Sequence, residues 1–209
     1  MKKITIVDYG SGNVLSAQKS FVKIAKDNNI EADVLISKKL NDVKDSTHVV
    51  LPGQGAFSTC MNSLKKTDGL IDELCEFALI KKKPFLGICV GMQMLAKMSE
   101  ENGVHEGLGW IDGKIKILPG DNLKLPHMGW NLVSPTNSQD NNLISDKNDY
   151  YFVHSYYFDC PKKDNILAET KYGINFASIV GKENIYGVQF HPEKSSSQGL
   201  NLLKEFISV

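Results

Sequence analysis

Arginine is missing altogether: every one of the 24 basic residues among 209 is lysine. Any carboxylate or phosphate recognised by this chain must meet lysine point charges or backbone N–H groups, never a bidentate guanidinium fork. Missing too is any run of eighteen apolar residues, which argues against a membrane span. The opening MKKITIVDYGSG has only a short apolar stretch before Asp8 interrupts it. It therefore reads as a first strand and not as a signal peptide, and a cytoplasmic location is expected. The four cysteines, Cys60, Cys75, Cys89 and Cys160, contain no C-x-x-C pair, against both a zinc site and a secreted disulfide framework. Net charge is zero and the largest basic cluster is Lys81-Lys82-Lys83, so nucleic-acid binding has little electrostatic support. Neither a metal nor a cofactor is expected.

What is present suits one globular domain spanning 1–209, since a 42% hydrophobic content at this length supports a sizeable core. KITIVDYG reads as a strand. Asn13 can cap a helix whose apolar positions Val14, Ala17, Phe21 and Ala25 recur at helical spacing. ADVLIS and HVVLPG are further strands. Helical patterns follow at 56–66 and 69–81, the second placing Ile71, Leu74, Cys75, Ala78 and Leu79 on one face. Residues 84–88 form a strand that turns into a helix over 90–98. This alternation predicts an α/β fold with a mostly parallel twisted sheet flanked by helices, whose functional loops lie at the carboxyl ends of the strands. From Trp110 to Gln189 the texture changes to short runs (KIKIL, HMGWNLV, DYYFVHSYYF, NILAET, FASIV, IYGVQF), which read as appended antiparallel strands. The stretches NSQDNN and SDKND read as polar loops. A last helix over 197–207 buries Leu200, Leu203 and Phe206.

The chemistry concentrates at PFLGICVGMQML, residues 84–95. A strand turning sharply into a helix strains its corner residue, and flanking glycines remove the Cβ clashes; this is nucleophile-elbow logic with Cys89 at the corner. A helix N-terminus favours the thiolate, and the Val90 N–H is aimed to meet a developing oxyanion. A packed cysteine beside two incidental glycines remains the alternative until a base is found. Of five histidines, His48 opens an apolar strand and His105 sits in a loop, both simply structural. His191 ends IYGVQF and begins His-Pro-Glu. Period-two alternation puts Glu193 on the same face, where its carboxylate can fix the imidazole tautomer. Cys89, His191 and Glu193 thus supply nucleophile, base and orienter.

With GICVGMQ (87–93), FHPEKS (190–195) and LPGQGAF (51–57), the chain resembles the class I, triad-type glutamine amidotransferases. YGSGN (9–13), LPHMGWN (125–131) and YFVHSY (151–156) narrow the resemblance to glutaminase subunits of imidazole glycerol phosphate synthases, over essentially the whole chain. The resemblance implies a flavodoxin-like amidotransferase fold and a γ-glutamyl thioester on Cys89. It also implies an oxyanion hole from Val90 and the Gly53-Gln54-Gly55 loop, which needs a peptide flip to aim its donor inward. Gln54 stands where a small aliphatic residue is frequent in the family. Substrate contacts are implied for Gln93, Glu101, Ser155 and Tyr156, and partner contacts for Asn13, Met128, Trp130 and Lys194. For Gln93 a helix-capping role, for Tyr156 and Trp130 ordinary packing, and for Lys194 simple solvation stay open. The implied substrate is L-glutamine. The implied partner is a (β/α)₈-barrel cyclase subunit of histidine biosynthesis, joined in a heterodimer and fed ammonia through a channel. Two other readings stand beside this one. A paralogous ammonia supplier for another acceptor, such as nucleotide-sugar amidation, would carry the same triad. A γ-glutamyl cysteine hydrolase or a non-catalytic binding subunit would share the fold.

Overall fold

The apolar runs of the first half lie side by side in the computed structural model, which describes residues 1–120, 123–136 and 141–209. Residues 137–140 of the NSQDNN loop reading lie outside the described residues. The first half runs β1 (Lys2–Val7), α1 (Val14–Asp27), β2 (Ala32–Ser37), α2 (Leu40–Lys44), β3 (His48–Gly53), α3 (Phe57–Lys65), α4 (Leu70–Cys75), β4 (Phe85–Cys89) and α5 (Val90–Gln93). The second half adds β5 (Met98–Ser99), β6 (His105–Glu106), β7 (Lys114–Ile117), β8 (His127–Pro135), β9 (Asn148–His154), β10 (Tyr156–Asp159), β11 (Ile166–Tyr172), β12 (Ile174–Lys182), β13 (Ile185–Val188) and α6 (Ser196–Ser208).

Five strands form a parallel core in the order β2-β1-β3-β4-β13. This is the flavodoxin-like arrangement, in which the winding reverses between β1 and β3 and ligands sit beyond the carboxyl ends of the strands. β3 and β4 are buried along their whole length, as continuous apolar runs covered on both faces must be. Beyond β13 the sheet continues through antiparallel β12, β10 and β7, and a branch of β11, β8 and β9 leaves β12. The appended antiparallel strands are therefore present, and they belong to the same sheet as the parallel core.

Several local expectations change. Asn13 occupies the N-cap position of α1, but its side chain makes no capping hydrogen bond. The helix expected over 69–81 changes character midway. After α4 the turn widens into a π-helix over Glu76–Ile80, with Leu74 and Ala78 buried and Cys75 half-buried against the core. The helix expected over 90–98 stops at Gln93. Its would-be continuation gives its carbonyls to a returning loop: Leu108, Ile111 and Gly109 donate to the carbonyls of Met94, Leu95 and Ala96 at 2.8, 3.1 and 3.0 Å. These loop contacts hold Met94, Leu95 and Ala96 while the chain turns out into β5. His105, expected in a loop, lies in the two-residue β6. His48 is structural as expected, buried edge-on against Phe206 with its nucleus lowered by burial to a pKa of about 4.

Candidate active site

The corner after β4 is strained as the Gly-x-Cys-x-Gly pattern requires. Cys89 has φ 55° and ψ −113°, a conformation that L-residues adopt only where the surroundings enforce it. The enforcement is close packing of backbone on backbone. A Cβ on Gly91 would lie 1.8 Å from the Leu51 carbonyl oxygen, and one on Gly87 would lie 2.6 Å from the Gly91 oxygen. Cys89 is buried at the floor of a cavity of about 310 Å³ that also takes in Gln54, Gly55, Val90, Gln93, Glu101, Ser155, Tyr156, His191 and Lys194.

His191 reaches the sulphur from the far end of the sequence because β13 lies next to β4. Its backbone N–H donates to Tyr151 O at 2.9 Å, which ties the segment after β13 to β9. Glu193 is carried by a 3₁₀ turn over Pro192–Lys194, not by strand alternation, yet its Oε1 lies 2.9 Å from His191 Nδ1. Burial alone would disfavour the imidazolium. Hydrogen bonds to Cys89 and Glu193, together with the charges of both, outweigh that cost and lift His191 to a pKa of about 10. The favoured state therefore has a protonated imidazole between sulphur and carboxylate, with its Nε2 free to face the sulphur because Nδ1 is engaged by Glu193.

The Gln93 side chain is not spent on capping α5. Its Nε2 donates both hydrogens inside the protein, to Tyr156 O and to Gln189 Oε1, each at 3.1 Å. Only Oε1 is left, an acceptor suited to an ammonium group. Glu101 comes in from the turn after β5, and its Oε2 accepts the Phe57 N–H at 2.6 Å. Ser155 forms the kink between β9 and β10, with its carbonyl held by Leu118 N–H at 2.9 Å. Lys194 is exposed at the cavity mouth. Met128 and Trp130 stand 62% and 54% exposed on β8, away from the cavity, and Leu132 continues the same face at 45%. Asn13 does not line the cavity. Packing therefore does not account for Trp130. Among the described residues no cluster of three or more His, Cys, Asp or Glu is placed to hold a metal ion.

The loop after β3 is the other wall. Val49 N–H donates to Pro84 O at 3.1 Å, which sets the phase of the β3–β4 ladder, and the register continues to Gly53 opposite Cys89. A parallel ladder alternates by two residues, so its last rung runs from the Val90 N–H to the Gly53 carbonyl. The carbonyls on either side of the Gly53–Gln54 peptide are held from behind. Tyr9 Oη donates to Pro52 O at 2.7 Å, while Ser11 Oγ and the Cys60 thiol approach Gln54 O at 3.0 and 3.3 Å.

A family model described as Glutamine amidotransferase class-I matches residues 5–209. The chain belongs to that family. It is 45% identical over 209 residues to imidazole glycerol phosphate synthase subunit HisH of Pelagibacter ubique (strain HTCC1062), covering 99% of each chain. It is 43% identical to the protein of the same name from Rhodospirillum rubrum, covering 98% of each. Among solved structures, one glutamine amidotransferase superposes with a TM-score of 0.72 at 16% identity, covering 99% of each chain. Another, from Thermotoga maritima, gives 0.62 at 20% identity, covering 94% of this chain and 78% of that one. At such identities the superpositions speak for the fold alone, and they agree with the α/β reading.

In this amidotransferase the sequence reading passed over four residues at the site. Gln189 lies buried with Nε2 at 3.9 Å from the Cys89 sulphur, and it joins that sulphur to Gln93. Its position two residues before His191, at the end of the same apolar run, was the available signal. Tyr9 and Ser11 carry no such signal, because only the approach of β1 to β3 brings them behind the loop, while Cys60 reaches it from α3, six residues after Gln54, where its spacing reads as ordinary helix packing.

Proposed function

We propose that this chain hydrolyses the side-chain amide of L-glutamine and delivers the ammonia to a (β/α)₈-barrel cyclase subunit, as the glutaminase half of an imidazole glycerol phosphate synthase of histidine biosynthesis. The observation that carries the reading is the Cys89–His191–Glu193 constellation at the floor of a cavity sized for a small amino acid. The HisH relatives, matched end to end, supply the pathway.

The Cys89 sulphur attacks the side-chain carbonyl carbon of glutamine, and His191 gives its proton to the departing nitrogen, which leaves as ammonia. The carbon stays on sulphur as a thioester. Deprotonated His191 then takes a proton from water, the water oxygen bonds to the carbonyl carbon, and the C–S bond breaks to release glutamate. Glu193 holds the ring and stabilises its charged form through both halves. Gln93, Glu101, Ser155 and Tyr156 hold the substrate's α-ammonium and α-carboxylate groups. With arginine absent, the carboxylate is met by backbone and hydroxyl donors. The oxyanion requires the Val90 N–H, which the Gly53 carbonyl occupies. Turning the Gly53–Gln54 peptide over frees that donor and offers the Gln54 N–H as a second. The anchored carbonyls on either side confine the turn to one peptide unit.

Ammonia released in water at neutral pH becomes ammonium and diffuses away, so the product needs a receiver docked on the chain. Met128, Trp130 and Leu132, with Asn13 and Lys194, form its docking surface in this reading, in a cytoplasmic heterodimer. The test is to mix the chain with the barrel subunit and compare product formation driven by glutamine and by ammonium. Glutamine should drive it only when both chains are present, and ammonium should drive it with the barrel alone. If glutamine supports no synthesis in the mixture while ammonium does, the pairing is wrong.

The protonation of His191 sets a pH dependence. The leaving nitrogen needs the proton, so kcat/KM for glutamine should persist on the alkaline side until pH approaches the His191 value of about 10, and then fall. Glu193→Gln removes one of the two groups that raise His191. It should move the alkaline limb down by about one unit or more, measured as kcat/KM against pH.

A further inference from the structure

Two buried histidines outside the triad, His127 on β8 and His154 on β9, face each other in register, 3% and 6% exposed. Their rings meet at 2.9 Å, His127 Nδ1 to His154 Nε2. The far ends of the pair are also engaged. His154 Nδ1 lies 2.8 Å from Tyr156 O in the wall of the glutamine cavity, and His127 Nε2 lies 3.0 Å from Asn131 Nδ2.

The direction of every bond in this chain follows from its two ends. At the cavity end a carbonyl can only accept, so His154 carries a proton on Nδ1. At the other end the Asn131 amide is oriented independently. Its Oδ1 accepts the Leu132 N–H at 2.8 Å, and its Nδ2 donates to Lys171 O at 3.2 Å as well as facing His127. Asn131 is therefore the donor, and His127 Nε2 must be bare. A bare Nε2 requires the His127 proton on Nδ1, which points it at His154 Nε2, and that atom must then be bare too. Each ring holds one proton, on Nδ1, and neither can take a second without setting two donors against each other. Burial acts the same way, lowering His127 to a pKa of about 4 and His154 to about 3. The rings cannot turn to escape: His127 is stacked on Phe152 and Tyr172, at centroid distances of 4.8 and 4.0 Å, and His154 packs on Phe176 at 5.1 Å.

We infer that Asn131, His127 and His154 form a one-directional hydrogen-bond relay that positions the Ser155–Tyr156 wall of the glutamine cavity from the exposed face of β8. The relay rests on the glutaminase reading for its substrate, but its proton arrangement does not. His154 is a positioning residue: its Nδ1–H and the Gln93 amide converge on the same Tyr156 carbonyl, so together they fix the kink that presents Ser155 and Tyr156 to the substrate. Asn131 stands between Trp130 and Leu132, both exposed. A partner that shifts this strand face moves the Asn131 donor, and through two stacked rings it moves the cavity wall.

The first test is spectroscopic and needs no turnover. In the ¹⁵N-histidine-labelled full chain near pH 7, His127 and His154 should both show a protonated Nδ1 and a bare Nε2, the tautomer that free neutral histidine disfavours. Finding Nε2 protonated on either ring overturns the relay. The second uses Asn131→Asp, which replaces the donor by an acceptor and draws a proton onto His127 Nε2. With the barrel partner saturating, KM for glutamine should rise about 10-fold, the effect of losing one hydrogen bond at the cavity wall. In the same variant kcat should change less than about 2-fold on the same scale, and the His127 nitrogen signals should exchange character. An unchanged KM, or a fall in kcat with KM unchanged, overturns the positioning role. Failure of the glutaminase reading itself would appear instead as glutamine turnover that does not depend on Cys89, with the tautomers as stated.

Discussion

Replacing Cys89 with alanine will abolish glutamine-driven synthesis by the complex while leaving ammonium-driven synthesis intact. Among the described residues the thiol is the only group at the cavity floor that pairs a nucleophilic atom with a protonated imidazole, and no other cysteine substitutes for it. Cys60, on α3 behind the oxyanion loop, faces the Gln54 carbonyl, and burial pushes its ionisation up, away from nucleophilic use. Losing a triad nucleophile costs on the order of 10⁶ in kcat in well-studied hydrolases, so a fall of at least about 10⁴ is the expected reading here. The fold should survive. Alanine is smaller than cysteine, meets the same backbone demand at φ 55°, and leaves the packing of Gly87 and Gly91 untouched. A melting temperature near that of the parent, with glutamate release at background, is the expected pair of results. Glutamine turnover at the parental rate in Cys89→Ala would remove the catalytic assignment, whatever the relatives are called.

How much of this was legible in the sequence depends on whether the cause is local. The elbow was legible because its cause lies within five residues: a strand, a turn and two glycines. The parallel core was legible from the alternation of apolar runs with helical periodicity. The length of α5 was not, since its apolar pattern continues through Met94, Leu95 and Ala96 although their carbonyls are taken by residues 108–111. Tertiary hydrogen bonds overrode a periodicity that was genuine, and those three residues are buried as the pattern says. The His191–Glu193 pair was legible as a constellation but not as a conformation, because Pro192 opens a 3₁₀ turn where strand alternation was expected. The anchoring of Pro52 and Gln54 by Tyr9, Ser11 and Cys60 lies furthest from the sequence. The Tyr9 and Ser11 contacts join segments more than forty residues apart, and all three run to backbone acceptors that every residue carries.

Gly91→Ala should be the most damaging substitution of a residue that takes no chemical part. The added Cβ would sit 1.8 Å from Leu51 O and 3.0 Å from Leu51 C, both backbone atoms of β3. A side chain in the way can rotate aside; this carbonyl cannot. β3 is held by β1 on one side and β4 on the other, in the middle of the parallel core. Relief requires pulling α5 off the sheet, and Cys89, Val90 and Gln93 would move with it. Overpacking of a core costs about 1–3 kcal/mol where side chains give way. Against rigid backbone the expected cost is about 4 kcal/mol or more, a large part of the stability of an ordinary domain. At this chain length that corresponds to a fall in melting temperature of about 10 °C or more. Gly120→Ala is the matched control, because among the described residues its Cβ meets only Leu125 Cδ1 at 3.7 Å and Leu118 O at 3.9 Å, both ordinary contacts. It should melt within about 2 °C of the parent. If Gly91→Ala melts with that control, close approach of α5 to β3 is not what this glycine secures, and the elbow's strain must be held from somewhere else.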